Sequence, residues 1–480
     1  MNLRRRRGII LILAGGLRGF ASAHAIALLW KRRIIQLSWR NEKGIALTMS
    51  RREVYIVSAV RTPIGKFGGA LAEFTAPDLG VIAVRAALER AFGLPLPPER
   101  QPGEGAAVEE TIRQATHAGK GASSNRAWHV DELIFGNARP AGVGPNPARQ
   151  ISWRVGLGDT VPAFTVNMAC ASGLRAILLG WQEILTGAAE IVVAGGAESM
   201  SRVPYLVEAR WGVKMGNQPL VDAMYRDGFV CPISKMIMGE TADLLAEKYK
   251  ISRDEQDQFA IESHRRAARA QQECRFSRET VPVEIKDKKG NVTRFEKDEH
   301  VRPDVTLEKL AKLPPVFSKT GTVSAGNASG ITDGAAAVVL ASAEKVRELN
   351  LKPLARIVDA TVSAIDPRIM GISPVPAVRK LLAKTGTKLD DFSAIELNEA
   401  FAAQVLACDR DLHFPREKLN PNGGAIALGH PIACTGARIT TTLIHELPGP
   451  ASSQNSTPKR GLATLCVSGG LGVAMEIEGV

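Results

Sequence analysis

Two short segments of this 480-residue chain recur at nearly the same spacing. Residues Ala171–Arg175 (ASGLR) are similar to Cys434–Arg438 (CTGAR), 263 positions later. Residues Ile134–Asn137 (IFGN) are similar to Ile395–Asn398 (IELN), 261 positions later. The two nearly equal spacings indicate that the N- and C-terminal parts are duplicated halves. A duplicated unit would bring equivalent loops of both halves to one shared cleft.

Strand-like and helical segments alternate along each half. Val54–Ala59 and Glu190–Ala194 are short apolar runs typical of strands, and Ala163–Val166 is a third that leads into Cys170. Asp78–Phe92 and Gly173–Leu185 have apolar residues at helical spacing. This alternation predicts an α/β fold of layered, buried sheets.

The composition excludes several classes of protein. Apolar residues make up 45% of the chain and charged residues 23%, which are ordinary globular values. The net charge is +12, but the first 48 residues carry ten Lys or Arg and one acid, so the other 432 carry only +3. Because no basic stripe remains, we expect no nucleic-acid partner. The six cysteines include no CxxC pair, so we expect free thiols and no metal site.

The first 48 residues allow three interpretations. Arg4–Arg7 precede a short apolar run, Gly8–Leu17, and Ala21-Ser22-Ala23 is compatible with signal-peptidase cleavage. An Arg-rich, acid-poor head also suits an organelle transit peptide. The apolar run is far shorter than the roughly 20 residues of a membrane span, so we expect no membrane partner. We favour a mis-assigned start before Met49, which predicts that residues 1–48 lie outside the fold and that the protein is cytoplasmic.

Changes in composition divide the remainder. Residues 94–128 are rich in Pro, Gly and Ser, which predicts a loop insertion. Residues 200–330 are richer in charge and read as an inserted loop domain over an active site. The expected organisation is therefore a first half at 49–199, the loop domain at 200–330 and a second half at 331–480.

Cys170 is the strongest candidate nucleophile. In Asn167–Gly173 (NMACASG) a strand ends, a turn of small residues follows and a helix begins. The partial positive charge of a helix N-terminus would lower the pKa of the Cys170 thiol. A buried structural cysteine is the alternative, because cysteine is often buried.

Three further motifs carry polar or thiol groups at the ends of predicted strands or in Gly-rich turns. His430 follows the Gly-rich run Asn422–Gly429 and precedes a proline, which suits a base that activates a thiol. Cys466 ends a strand before the turn Ser468-Gly469-Gly470, whose N–H groups could point into a cleft. Asn398 follows a strand and could orient a water or a carbonyl, although a helix cap is an alternative for it.

Together these motifs resemble the thiolases, a family of acetyl-CoA acyltransferases. The resemblance runs from about Val54 to the C-terminus. It includes Val57–Pro63 (VSAVRTP), Gly195–Ser201 (GGAESMS) and Ala325–Gly330 (AGNASG), in the same order as in the family. It implies duplicated α/β halves in a layered α-β-α-β-α arrangement with an inserted loop domain.

The resemblance also implies roles for individual residues. Cys170 would be the acylated nucleophile, His430 the base that deprotonates it, and Cys466 the acid/base that takes the α-proton from acetyl-CoA. Asn398 would hold a water that forms one oxyanion hole with His430. The backbone N–H groups of Cys170 and Ser468 would form the other.

The implied reaction is a reversible, ping-pong Claisen condensation. Its substrates would be acetyl-CoA with an acyl-CoA, or a 3-ketoacyl-CoA with free CoA, and no cofactor or metal would take part. The family suggests a homodimer or homotetramer. Residues in its positions for CoA and substrate contacts are Met238, Arg302, Phe317, Ala325, Ser329 and Phe401.

The chain departs from the family pattern at two positions. Ser468 stands where the family usually has Gly, so activity should survive unless this position needs a positive φ. Ile237 stands where some short-chain biosynthetic members have His, which leaves the acyl chain length open. For Cys434, four residues after His430, a packing role is the favoured interpretation.

Two other functions remain as alternatives. A ketoacyl synthase has a similar fold and nucleophile, but it would need a second His where this chain has Asn398, and it lacks a counterpart of Cys466. A non-catalytic lipid carrier or scaffold is disfavoured by the complete set of Cys170, His430, Cys466 and Asn398.

Overall fold

The chain divides into two compact units, Met1–Arg52 and Glu53–Val480. The computed structural model describes residues 38–40, 46–48, 52–93, 96–103, 128–447 and 458–480. In the first unit, the described residues form an antiparallel pair of short strands, β1 (Ser38–Arg40) and β2 (Ala46–Thr48). The Arg-rich and apolar runs of the head, and most of the predicted insertion at 94–128, lie outside the described residues. Within those residues, no helix is long and apolar enough to cross a membrane.

The second unit is built from short helices and strands. Its strands are β3 (Val54–Arg61), β4 (Gly65–Lys66), β5 (Glu132–Gly136), β6 (Ala163–Val166), β7 (Ile191–Ser199), β8 (Tyr205–Leu206), β9 (Val221–Asp222), β10 (Val283–Lys286), β11 (Val292–Phe295), β12 (Thr332–Ser342), β13 (Ala355–Ala364), β14 (Phe392–Leu397), β15 (Arg460–Val467) and β16 (Leu471–Gly479). Its helices are α1 (Ala76–Phe92), α2 (Pro147–Arg154), α3 (Ser172–Thr186), α4 (Met238–Lys248), α5 (Arg253–Gln272), α6 (Leu307–Ala311), α7 (Ala343–Glu348), α8 (Pro374–Thr385), α9 (Ala402–Leu412), α10 (Ala425–Leu428) and α11 (Ile432–Glu446).

One large mixed sheet contains both halves of the molecule. Its strand order is β14-β15-β16-β13-β3-β12-β7-β5-β6, and β4 pairs with β12. In the first half β5 is parallel to β7, and β12 is antiparallel to β7 and β3. In the second half β14 is parallel to β15, and β16 is antiparallel to β15 and β13. The same order and directions in both halves confirm the predicted duplication.

Alternate faces of the sheet pack into different cores, as the two-residue period of a strand requires. Val192 of β7 packs in a central core with Ile177 of α3 and Leu443 of α11, whereas Val193 packs in an outer core with Val84 of α1. A third core lies on the outer face of the second half, where α8 and α9 pack on β14 and β15. Val473 of β16 packs in the same central core as Val192 of β7, so the inner faces of both halves of the sheet lie against α3 and α11. Helices therefore cover both outer faces and also lie between the two halves of the sheet, which confirms the α-β-α-β-α layers.

The central helices α3 and α11 meet at two glycines that the internal repeat aligns. A Cβ on Gly173 would lie 2.7 Å from the Ala433 carbonyl oxygen, and one on Gly436 would lie 2.6 Å from the Leu174 backbone nitrogen. Carbon atoms cannot approach backbone atoms this closely, so the crossing requires glycine in both helices.

A buried ion cluster attaches the loop region to the sheet. Arg61, which ends β3, is fully buried and pairs with Glu279 at 2.5 Å and with Asp298 at 2.7 Å. Asp298 also accepts a hydrogen bond from the Ile64 backbone N–H at 2.9 Å. This cluster holds the chain just before Arg302.

The expected division at residue 331 is wrong for one strand. Thr332–Ser342 (β12) hydrogen-bonds to β3 and β7, so it belongs to the first half. The sequence does not show that β12 belongs to the first half, because it follows a long, charge-rich segment. Its pairing with β3, for example Ala336 with Arg61, joins residues 275 positions apart and leaves no local pattern.

We predict that Gly436→Ala destabilises the protein. Alanine in a helix interior normally stabilises it by about 1 kcal/mol relative to glycine. Here the added methyl group would force the helices apart, at a cost of about 1–3 kcal/mol for overpacking. Urea denaturation followed by circular dichroism measures the change, with Gln182→Ala on the exposed side of α3 as the control. A Gly436→Ala protein as stable as wild type would show that the crossing tolerates a side chain.

Candidate active site

Cys170 lies in a strained turn between β6 and α3. The turn is a single 3₁₀ unit, Ala169–Ala171, and Ala169 has a φ of +44°, which is unusual for a residue other than glycine. The Ser172 hydroxyl accepts a hydrogen bond from the Met168 N–H at 2.9 Å and donates one to the Ala169 carbonyl at 2.7 Å. These bonds hold the turn and place Cys170 two residues before Ser172, the first residue of α3.

A cavity of about 480 Å³ brings the predicted reactive groups together. Cys170, His430, Cys466 and Ser468 all line it, although they come from three distant parts of the chain. All six predicted CoA and substrate contacts line it too: Met238, Arg302, Phe317, Ala325, Ser329 and Phe401. Asn398 is not part of the lining.

Burial raises the pKa of the partly buried Cys170 thiol, contrary to the expectation of a lowered value. The charge of Arg139 and the backbone N–H groups of Ser468 and Cys170 oppose this effect without outweighing it. The two N–H groups that the sequence assigned to an oxyanion hole thus both act on the sulfur. The resting group is therefore a thiol that requires a base.

His430 is buried and has the properties of that base. Its Nδ1 lies 2.6 Å from the Thr435 hydroxyl oxygen, and that hydroxyl donates to the Pro431 carbonyl at 3.1 Å. Because the one hydroxyl proton is used there, the oxygen accepts from Nδ1–H, and Nε2 is the unprotonated nitrogen. Among the described residues Nε2 has no hydrogen-bond partner. Burial, with the charges of Arg438 and Arg139, lowers the pKa of His430 to about 3, so the ring is neutral at pH 7.

Cys466 is the penultimate residue of β15 and is 1% exposed. Burial raises the pKa of its thiol well above the usual range, and the neighbouring Cys170 and Cys408 add to this rise. The site thus contains two thiols that are both protonated at rest.

Asn398 lies just beyond the end of β14, the parallel neighbour of β15. Its N–H donates to the Thr464 carbonyl at 3.0 Å, and its side chain is fully buried. Neither amide atom has a hydrogen-bond partner among the described residues. A buried amide without protein partners is costly in a structural position, so this side chain is available to a ligand or water.

Glu399, next to Asn398, organises the loop before His430. Its buried carboxylate accepts hydrogen bonds from the Ser263 hydroxyl at 2.6 Å, the Asn420 amide at 2.8 Å and the Ile426 N–H at 3.2 Å. The Glu399 carboxylate is therefore structural.

The sequence did not reveal the importance of Glu198 and Arg139. Glu198 is fully buried and accepts hydrogen bonds from the Asn137 amide and the N–H groups of Ala138, Arg139 and Ala433, at 3.0 to 3.2 Å. It therefore joins the loop after β5 to the start of α11. Glu198 lies in the quoted GGAESMS motif, which was the available signal, whereas nothing near Arg139 in the sequence marks it.

Aromatic rings and small side chains form most of the cavity wall away from Cys170. Phe317 and Phe401 meet edge to face, with ring centroids 6.1 Å apart. The Ser329 N–H donates to the Ala400 carbonyl at 3.0 Å, which fixes the 325–330 segment beside Phe401. Arg302 is exposed, so this cation is at the mouth.

The structure accounts for Ser468 and Ile237, the two positions that depart from the family pattern, and for Cys434. Ser468 is not among the residues with a positive φ, whereas Gly469 (φ +85°) and Gly470 (φ +83°) are, so serine fits its position without strain. Ile237 lines the cavity next to Met238. Cys434 is 1% exposed in the central core, and burial raises its pKa to about 12, which agrees with a packing role.

Family models and known proteins match nearly all of the second compact unit, Glu53–Val480. The model "Thiolase, N-terminal domain" matches residues 54–99 and 114–344, and "Thiolase, C-terminal domain" matches 351–479. An acetyl-CoA acetyltransferase of Chromobacterium violaceum is 46% identical over 89% of this chain and 99% of its own. A probable acetyl-CoA acyltransferase of Staphylococcus aureus is 46% identical over 88% of this chain and 98% of its own.

Solved structures agree with these matches. The acetyl-CoA acetyltransferase of Bacillus anthracis superposes with a TM-score of 0.78 at 42% identity, covering 90% of this chain and 100% of that one. Human mitochondrial 3-ketoacyl-CoA thiolase, solved in complex with CoA, superposes with a TM-score of 0.77 at 41% identity, covering 89% and 98%. The chain belongs to the thiolase family, whose general reaction is Claisen condensation of CoA thioesters and its thiolytic reversal, and it is an acyltransferase.

Proposed function

We propose that this acyltransferase works through an acyl-cysteine at Cys170, with His430 as base and Cys466 as the second acid/base. The observation that carries this proposal is the meeting of two protonated thiols and a neutral histidine in one cavity. The acid–base groups are all side chains and the CoA thioesters are substrates, so no further cofactor takes part.

The first half-reaction forms the acyl-enzyme. His430 Nε2 takes the Cys170 proton, and the thiolate attacks the thioester carbonyl carbon. The N–H groups of Cys170 and Ser468 stabilise the oxyanion, and such a donor contributes roughly 3–4 kcal/mol. The bond between the carbonyl carbon and the CoA sulfur breaks, and the departing thiolate takes the proton of Cys466.

The second half-reaction makes the carbon–carbon bond. The Cys466 thiolate takes an α-proton from acetyl-CoA, and the high pKa of this thiol makes its thiolate a strong base. Asn398 and His430 would stabilise the enolate oxygen through a water. The carbanion attacks the acyl carbon, Cys170 leaves and regains its proton from His430, and all three groups return to their resting state.

This exchange between thioesters is close to energetic balance, so the same site serves condensation and thiolysis. Arg302 at the mouth would contact the nucleotide end of CoA, and Met238, Phe317 and Phe401 the pantetheine arm. The human relative solved with CoA supports a CoA ligand here.

We also propose a homodimer or homotetramer. The segment between β8 and β9 exposes large apolar side chains, with Trp211 at 91%, Met215 at 92% and Leu220 at 68%. Exposed apolar patches on proteins commonly mark contact surfaces.

Incubation with acetyl-CoA should add one acetyl group to the wild-type protein and none to Cys170→Ala. The adduct is an acyl thioester, so hydroxylamine should remove it. Intact-mass spectrometry measures both, and Cys274→Ala, which removes an exposed thiol, is the control that should keep the adduct. An adduct that persists in Cys170→Ala would place the nucleophile elsewhere.

Cys466→Ala should separate the two half-reactions. It removes the base for the α-proton, so condensation of two acetyl-CoA should fall by about 10²–10⁴-fold, the usual contribution of a general base. Acetylation of Cys170 should survive at a reduced rate. A coupled condensation assay and rapid-quench mass spectrometry measure the two rates. Turnover of malonyl-CoA but not acetyl-CoA donors would instead favour a ketoacyl synthase.

The pH dependence of Cys170 alkylation should follow its raised pKa. The reactive thiolate forms as pH rises towards that pKa, so the rate of carbamidomethylation by iodoacetamide should still be rising at pH 9. Because His430 stays neutral above pH 4, no thiolate–imidazolium plateau should appear at pH 5–7. Peptide mapping distinguishes Cys170 from Cys274. A rate that is constant from pH 5 to 8 would show a preformed ion pair.

A further inference from the structure

Arg139 is a buried cation that shares the cavity with Cys170. It follows β5 and is 8% exposed. Its Nη1 donates to the Ala138 carbonyl at 3.1 Å. Among the described residues, the buried Nε has no hydrogen-bond partner, and the Ala138 carbonyl is the only acceptor of the guanidinium. A guanidinium in this state has lost much of its hydration and has few hydrogen bonds in its place.

Glu198 is close enough for its charge to interact with that of Arg139, but the two form no salt bridge. Its two oxygens already accept four hydrogen bonds from amide and backbone N–H groups. Burial raises the pKa of Glu198 to about 7, although the charge of Arg139 opposes the rise. The carboxylate is thus engaged by these N–H donors, and it forms no salt bridge with the Arg139 guanidinium among the described residues.

The walls around Arg139 are apolar. Met200, Phe229 and Ile432 line the same cavity, and a Cβ on Gly228 would lie 2.6 Å from Arg139 Nε, so the guanidinium lies against the Gly228 backbone. No Asp or Glu is among the described residues of the lining. The other flexible cations there, Lys66 and Arg302, are exposed at the mouth. Arg139 is thus a buried cation in an apolar part of the cavity, with N–H donors that lack an acceptor among the described residues.

We propose that Arg139 selects acyl groups that carry a second, terminal carboxylate, so that the preferred acyl donor is a short carboxyacyl-CoA. The acyl chain would lie against the apolar walls while its carboxylate binds the guanidinium, a pairing whose geometry is strong and specific. This inference rests on the proposed acyl-cysteine mechanism. In the transfer, the bond from the carboxyacyl carbonyl carbon to the CoA sulfur breaks, the bond to Cys170 sulfur forms, and free CoA leaves with a proton.

A neutral chain of the same length would leave the guanidinium buried and unpaired. Sites built to bind a polar group reject analogues that lack it, because the group on the protein then has no partner. We therefore expect the wild-type protein to prefer the carboxyacyl donor by at least about 10-fold, a small part of the roughly 10⁴–10⁵-fold discrimination that such sites can reach.

The test compares succinyl-CoA with butyryl-CoA, which both have four-carbon acyl groups. Single-turnover acylation of Cys170 is followed by rapid-quench intact mass in wild type, Arg139→Met and Arg139→Lys. Succinylation should be faster than butyrylation in wild type, the order should reverse in Arg139→Met, and Arg139→Lys should keep part of the preference. Arg302→Met at the mouth is the matched control, and it should slow both donors by the same factor.

The outcomes are distinguishable. Faster butyrylation than succinylation in wild type would overturn the proposal. So would an Arg139→Met variant, folded by circular dichroism, that slows acetyl, butyryl and succinyl donors equally, because Arg139 would then act on the Cys170 thiolate and not on the acyl chain. If no CoA thioester acylates wild-type Cys170, the acyl-cysteine mechanism itself fails, whatever the role of Arg139.

Discussion

The backbone contact between α3 and α11 determines where the chemistry can occur. Cys170 precedes α3 and His430 precedes α11, so the angle and separation of these helices set the distance between the proposed nucleophile and the proposed base. Gly173 and Gly436 allow the helices to touch, and Gly196 of β7 lets the Ala433 carbonyl approach from a third side, where a Cβ would lie 2.1 Å away. Glu198 then fastens the start of α11 to the loop after β5. A side chain at any of these glycines would displace the helices and so shift the positions of both Cys170 and His430.

Local sequence patterns indicated three of the four candidate catalytic residues because each of the three lies where a strand ends. Cys170, Asn398 and Cys466 all follow or terminate strands, and the ends of parallel strands meet at one edge of a sheet. The predicted direction of the Cys170 pKa shift was wrong because the prediction used only local features. A helix N-terminus is a local feature that can be read from sequence, whereas burial depends on the packing of distant segments. Arg139 and the sheet position of β12 escaped prediction because both depend on contacts across hundreds of residues.

The electrostatics of the cavity suit a reaction in which negative charge moves. At rest the two thiols are protonated and His430 is neutral, so the reactive centre carries no anion that would need to be neutralised. In the proposed mechanism, oxyanions, thiolates and the enolate appear only during turnover, and fixed N–H groups stabilise them without reorganisation. A lowered resting pKa at Cys170 would have weakened its thiolate as a nucleophile, so burial is compatible with catalysis here.

The duplication explains how one unit came to hold two different polar pairs. The sheet register aligns Gly136 with Gly196 in the first half and Leu397 with Thr464 in the second, and the repeat matches Gly136 to Leu397. Asn137 and Asn398 are one position beyond Gly136 and Leu397, and Glu198 and Cys466 are two positions beyond Gly196 and Thr464. The pair Asn137 and Glu198 of the first half therefore corresponds to the pair Asn398 and Cys466 of the second. Asn137 donates to Glu198 at 3.0 Å, so the first pair is structural. In the second pair a thiol stands where the first pair has a carboxylate, and the Asn398 amide has no hydrogen-bond partner among the described residues. Because a thiol is a much weaker acceptor than a carboxylate, the buried Asn398 amide stays free to bind a substrate or a water, which is the role proposed for it.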